Sequence, residues 1–144
     1  MIVSPHQIPY RFFDHTSDLG LHVLGKDIDD LFRNSGLALM DVMADMSRIE
    51  PSTTISIKVE QNGYDLLLKE WLSELLFTAT VEMFFYGAIE IHSMDESHVH
   101  ATISGEKFDP QKHTILRELK SVTYHKLEVR QVKHKWQATF VIDI

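Results

Sequence analysis

The sequence contains no cysteine. A disulfide framework, a thiolate zinc site and a cysteine nucleophile are therefore excluded, and any metal would have to be held by oxygen or imidazole. Basic charge is also short, with 14 Lys and Arg against 21 Asp and Glu and a formal net charge of -7. Phosphate backbones are gripped by concentrated Lys and Arg, so such a chain is not expected to hold RNA mainly by counterion release. Any RNA would reach it indirectly, through a partner. Long apolar runs are missing too. The amino-terminal MIVSPHQIPYRFF carries Pro and Arg, which fits neither a signal peptide nor a membrane span and makes a cytoplasmic location the default expectation. No phosphate-cradling loop of the GxxxxGK[ST] type is present, so the chain alone is expected neither to hydrolyse GTP nor to ligate RNA. Repeats, linkers and low-complexity segments are likewise lacking.

What remains is an ordinary globular composition, 44% hydrophobic and 24% charged over 144 residues. That length supports one sizeable core, so residues 1–144 are expected to form a single domain. Leu19, Leu21 and Val23 alternate as a half-buried strand ending at Gly25. Asp27 is placed to cap a helix over about 28–45, where Ile28, Leu31, Phe32, Leu39, Val42, Met43 and Met46 recur at helical spacing. TISIKVE after Pro51 is the clearest strand, broken by Asn62-Gly63. A second helix is read from Asp65 to Met83 on the stripe Leu68, Trp71, Leu72, Leu75, Ala79 and Met83. Strands follow near 88–94 and 98–105, with Asp95-Glu96 as their turn. KLEVRQV and WQATFVID read as a closing hairpin, whereas 115–125, ILRELKSVTYH, fits a short helix or a strand equally. The expected class is α+β, a two-layer sandwich with two helices packed on a mostly antiparallel sheet.

Polar chemistry concentrates at FFDHTSDLGLHVLG, 12–25, just before the first apolar alternation. Asp18 shares parity with Gly20 and His22 and so faces away from Leu19, Leu21 and Val23. In the last run Trp136, Ala138, Phe140 and Ile142 share one face and Asp143 takes the other. Antiparallel pairing of these two strands would bring Asp18 and Asp143 side by side, where a divalent cation would relieve their repulsion. Hard oxygen ligands favour Ca²⁺, Mg²⁺ or Mn²⁺ over zinc. The plainer alternative makes Asp18 a turn acid and Asp143 an exposed terminal one, and the strand pairing decides between them. Asp14, His15 and Ser17 hold the residue types of a hydrolytic triad, but a local run seldom reaches triad geometry, so Asp14 or Thr16 is better read as bonding backbone at the strand entry. His98 and His100 flank one strand face without a third ligand. Lys120, Tyr124 and His125 gather in the ambiguous segment, where a lysine is ordinarily a surface solubiliser.

FFDHTSDLGLHVLG, DIDDLFRNSGLALM, WLSELLF, LKSVTYHKLEV and the closing WQATFVIDI resemble the archease family, in family order and over nearly the full chain. Ser17 departs from the family's usual alanine, and 84–113 matches only loosely. The resemblance implies an accessory protein of the GTP-dependent RNA-splicing ligase of the RtcB type, acting in tRNA splicing and repair. It would promote guanylylation of the ligase and repeated turnover without carrying the ligation chemistry, and is expected to be a monomer. The resemblance further implies a divalent cation, Ca²⁺ in the first place, at Asp18, Asp143 and the terminal Ile144, and a functional role for Lys120. Asp14, His15 and Thr16 would support that site. Two rival functions are a metal-dependent hydrolase using Asp18 and Asp143, and a chaperone-like binding module, which would need an exposed apolar patch.

Overall fold

Asp27 does cap the first helix: its carboxylate accepts the N–H of Asp30 at 2.7 Å, a contact that contributes about 1 kcal/mol. In the computed structural model, which describes residues 8–15 and 18–144 with the backbone alone at Asp14 and His15, eight strands and two helices are formed. They run β1 (Tyr10–His15), β2 (Asp18–Gly25), α1 (Ile28–Met43), β3 (Thr53–Glu60), α2 (Tyr64–Thr80), β4 (Phe84–Met94), β5 (His98–Lys107), β6 (Ser121–Val122), β7 (Glu128–Val132) and β8 (Lys135–Asp143).

The α+β class holds, with both helices packed on antiparallel strands, but the strands divide between two sheets where the sequence pattern indicates one. The larger has the order β1-β2-β8-β6, with β7 also pairing β8; the smaller has the order β3-β5-β4. Alternation reports which face of a strand is buried and says nothing about which strands are neighbours. Leu19, Leu21, Val23, Ala138, Phe140 and Ile142 turn inward onto the helices and are almost wholly buried. From the smaller sheet Ile57, Val59, Val99, Ala101 and Ile103 join the same hydrophobic cluster. Between the sheets, Trp71 Nε1 donates to the Phe32 carbonyl at 2.9 Å and the Tyr86 hydroxyl donates to the Gly36 carbonyl at 2.6 Å. Burial raises the pKa of that tyrosine well above its ordinary value. Gly36 also leaves room there for the tips of the Ile89 and Leu75 side chains.

Several boundaries differ from those read in the sequence. α1 ends at Met43 rather than 45, and Asp45 caps a single 3-10 turn, Met46–Arg48. α2 ends at Thr80, so Met83 lies outside the helix at a positive φ of 55°, in the turn that launches β4 four residues before its expected start. β1 is an additional strand, invisible to alternation because it is an edge whose Arg11 and Phe12 stay exposed. Segment 115–125 is neither a helix nor a regular strand. Ile115 forms an isolated bridge to Ala44, 116–120 runs along the molecule without repeating structure, and only Ser121–Val122 joins the sheet. Upstream, the Glu106 carboxylate gathers the Glu50 N–H at 2.7 Å, Lys112 Nζ at 2.9 Å and the buried His113 Nε2 at 3.0 Å. This network pins the chain just before it enters 115–125.

Candidate functional site at the end of the larger sheet

β2 and β8 pair antiparallel with Asp18 opposite Asp143, the pairing that the parity argument requires. Neighbouring strands extend the row. His15 lies opposite Asp18 on β1, and Ser121 lies opposite Asp143 on β6, so the main chain at 15, 18, 143 and 121 forms one line across the end of the sheet. Directly opposed residues have Cα atoms about 4.5–5.5 Å apart, so two acids here are close neighbours on a half-exposed face. Of the supporting candidates, the main chain of His15 thus stands in the row and that of Asp14 precedes it on β1, opposite Leu19, while Thr16 and Ser17 lie outside the described residues.

The donor chemistry fits a hard cation. Both side chains are carboxylates, and Ile144 follows Asp143 directly in the chain, so its main-chain oxygen would be a candidate further ligand. Among the described residues no group of three or more His, Asp or Glu side chains is arranged around a metal position. Asp18 and Asp143 would therefore supply two ligands, and the remainder would come from main-chain oxygen, water or a partner. Bound there, a divalent cation would supply charge neutralisation and an attachment point for anionic oxygens.

Lys120 reaches this site by a different route. Its N–H donates to the Asp143 carbonyl at 2.8 Å, which fixes its backbone beside the acid row. Its side chain lines two adjacent grooves that share Thr80 at the end of α2. One, of about 270 Å³, lies among Met43, Met83, Phe85, Ile115 and Arg117; the other lies among Lys69, Phe77, Val81 and Val122. Large apolar side chains left in solvent collect around these grooves. Phe77, Val81, Met83, Ile115 and Leu116 are exposed; Phe12 sits under the Arg117 guanidinium at 5.9 Å, and Tyr124, 69% exposed, sits under Lys69 Nζ at 4.3 Å. Sequence reasoning missed Arg117, Phe77 and Val81. Phe77 carried a usable signal, an aromatic lying off the apolar stripe of α2.

The remaining sequence candidates fall elsewhere. His125 lies in the turn after β6, beside Tyr124. His98 and His100 lie on the outer face of the smaller sheet, far along the chain from the acid row. His98 Nδ1 is 3.0 Å from an Asp95 carboxylate oxygen, and an irregularity in β4 places the His92 ring 5.2 Å from that of His100. They do not join Asp18 and Asp143.

A model of the archease protein family matches residues 10–144. A Sulfurisphaera tokodaii protein named archease is 33% identical over 139 residues, covering 94% of this chain and 98% of its own length. A Pyrococcus furiosus archease is 32% identical with the same coverage. The solution structure of a Methanobacterium thermoautotrophicum protein superposes with a TM-score of 0.80 at 29% identity, covering 95% of this chain and 99% of the other. A Thermotoga maritima archease, described as a possible chaperone, shares the fold at a TM-score of 0.66 and 13% identity over 92% of this chain and 94% of its own. With a family match over nearly its whole length and relatives above 30% identity, the chain belongs to the archease family.

Proposed function

We propose that this protein is an accessory activator of an RtcB-type RNA ligase, promoting its GTP-dependent guanylylation and repeated turnover. The observation that supports this most is the placement of Lys120. A cation and two carboxylates share one end of the molecule, and that end is bordered by the exposed Phe77, Val81, Ile115 and Leu116. Exposed apolar side chains around a charged centre are the ordinary anatomy of a protein-binding face. Docked on a ligase, Lys120 would meet an anionic oxygen of nucleotide or carboxylate, and Asp18 with Asp143 would hold a divalent cation, Ca²⁺ first and Mg²⁺ or Mn²⁺ as alternatives. The effect is one of positioning rather than covalent chemistry. A net charge of -7 complements a basic, RNA-holding ligase, which would carry the substrate RNA.

The test is GTP-dependent labelling of a purified RtcB-type ligase with substoichiometric protein. Stimulation is expected, and Lys120→Ala is expected to abolish it while changing stability by less than about 0.5 kcal/mol, as for other exposed substitutions. Undiminished stimulation by the variant would return Lys120 to a solubilising role. The same exposed patch favours a second reading, a chaperone-like binding module, for which unrelated unfolded chains should bind as well as the ligase does. A hydrolase using Asp18 and Asp143 would instead turn over substrate with no partner present.

A further inference from the structure

The outer face of the larger sheet carries a second set of polar residues beyond the acid row, separated from it by one outward line. Arg11, His22, Thr139 and Glu128 stand in one line across β1, β2, β8 and β7. The next outward line toward the far end contains Gln137 and Arg130, which are directly paired. A groove of about 430 Å³ lies over these two lines, with Arg11 and Arg130 on its flanks and His22, Gln137 and Thr139 along its floor. On the side toward Asp18 the third line is Phe13, Gly20 and Val141. Gly20 leaves room for the Phe13 ring, whose tip packs over the place a methyl group on the glycine would occupy. That ring stacks on His22 with centroids 4.7 Å apart and planes 30° apart, and Lys126 Nζ sits 5.5 Å from its centre.

Charge is unevenly distributed in this acidic chain. Residues 117–135 hold Arg117, Lys120, Lys126, Arg130, Lys133 and Lys135 against Glu118 and Glu128, a local excess of four positive charges within a total of -7. Glu128 is itself engaged, with Arg130 Nε 3.4 Å from its carboxylate. Burial, then the positive charge of Arg11 and Lys126, lowers the His22 pKa below its ordinary value.

We propose that this outer face is a contact surface for single-stranded RNA, with backbone phosphates met by Arg11, Lys126 and Arg130 and a base stacked beside the Phe13–His22 pair. Open sheet faces that combine an accessible aromatic stack with flanking cations suit unpaired bases, whose π-faces and phosphates alternate along the strand. An acidic peptide would use the cations and leave the stacked rings without a planar partner. Three phosphate contacts on an acidic protein give weak binding by themselves. The surface therefore adds contacts to a strand held mainly elsewhere, and the inference does not depend on the ligase being the partner.

The experiment uses the full chain alone with a fluorescein-labelled 12-nucleotide single-stranded RNA, read by anisotropy. Binding is expected at about 20 mM salt. With a slope of about -0.7 per phosphate contact, three contacts predict a fall of roughly 100-fold in affinity on raising the salt tenfold. The variant R11A/K126A/R130A, its fold checked by circular dichroism, is expected to lose at least 10-fold, whereas K58A/K107A on the smaller sheet is expected to bind like wild type. Absence of binding at low salt, equal loss in both variants, or displacement of the RNA by polyglutamate or free GMP at equal charge concentration would each overturn the proposal. Ligase stimulation is measured separately, so failure here leaves the activator reading untouched.

Discussion

Replacing either acid of the Asp18–Asp143 pair by asparagine separates two effects that a shared cation ties together. Without metal, like charges directly opposite across antiparallel strands destabilise by roughly 0.2–1 kcal/mol, so Asp143→Asn should leave stability unchanged or raise it slightly. The backbone is preserved, because the bond from Lys120 N–H runs to the Asp143 carbonyl and not to its side chain. With Ca²⁺ at a hundredfold excess over its dissociation constant, wild type should gain about 2.7 kcal/mol. For a chain of this size each kcal/mol shifts the melting temperature by about 4 °C, so the expected rise is about 11 °C. Each single variant should lose most of that rise, and the double variant should lose no more than either single one, since all three remove the same site. For Asp143→Asn the order of stability relative to wild type thus inverts between chelator and Ca²⁺. Thermal melts in EDTA and in CaCl₂, with Asp95→Asn as an acid elsewhere on the surface, read this directly. A rise of equal size in wild type and in both single variants would show that the two acids do not share a cation.

Two further predictions concern the frame that holds the site. The Glu50 N–H, then Lys112 and His113, hold the Glu106 carboxyl down to about 2, below its ordinary 4.5. Its folded pKa is depressed, so its contribution to stability is present above about pH 4.5 and is lost as pH falls toward 2; melts of wild type and Glu106→Gln should converge over that window, and a gap independent of pH would refute the linkage. Trp71→Phe removes the buried bond to the Phe32 carbonyl and part of a packed ring, and should cost about 2–3 kcal/mol by denaturant unfolding while leaving ligase stimulation per folded molecule unchanged; a cost below about 0.5 kcal/mol would mean that the core repacks without strain.

The outward placement of both acids was legible because parity is a short-range property, whereas the pairing of the first and last strands entered the sequence reading only as a condition. Leu19, Leu21 and Val23 assign an outward side to Asp18, Ala138, Phe140 and Ile142 assign one to Asp143, and the strand pairing then brings the two together. Segment 115–125 was not legible, for an equally physical reason. Its only regular pairing is the two-residue β6, and everything else that holds it is tertiary: Ile115 against Ala44, Leu116 N–H to the Met43 carbonyl, and Leu119 and Val122 in the core. No periodicity can emerge from a strip fixed at isolated points. The division of the strands into two sheets was hidden because inward residues from both feed one cluster, and β1 because an exposed edge strand has no alternation to read.

Under the proposed activator role, the irregular segment would also be what makes Lys120 useful. A lysine in the middle of a long strand or helix would have its direction set by the element, and its neighbours would be ladder partners. Lys120 instead enters the sheet margin at one main-chain bond to Asp143, followed by the pairing of Ser121 with the same residue, and Thr123 N–H to the Val141 carbonyl at 2.9 Å closes the attachment. Three points of backbone contact fix where its stem begins relative to the acid row, while the side chain remains exposed between the grooves. Position is thereby decoupled from rigidity. Glu106, Lys112 and His113 brace the strip upstream and the β7–β8 hairpin follows it downstream, so on docking to a partner of the proposed kind the main chain would lose little entropy while the four-carbon stem stayed free to find an anionic oxygen. If the protein acts as proposed, engaging and leaving its partner for each round of turnover would call for that combination: a charge delivered from a fixed origin, bordered by a small exposed apolar patch rather than a large buried one.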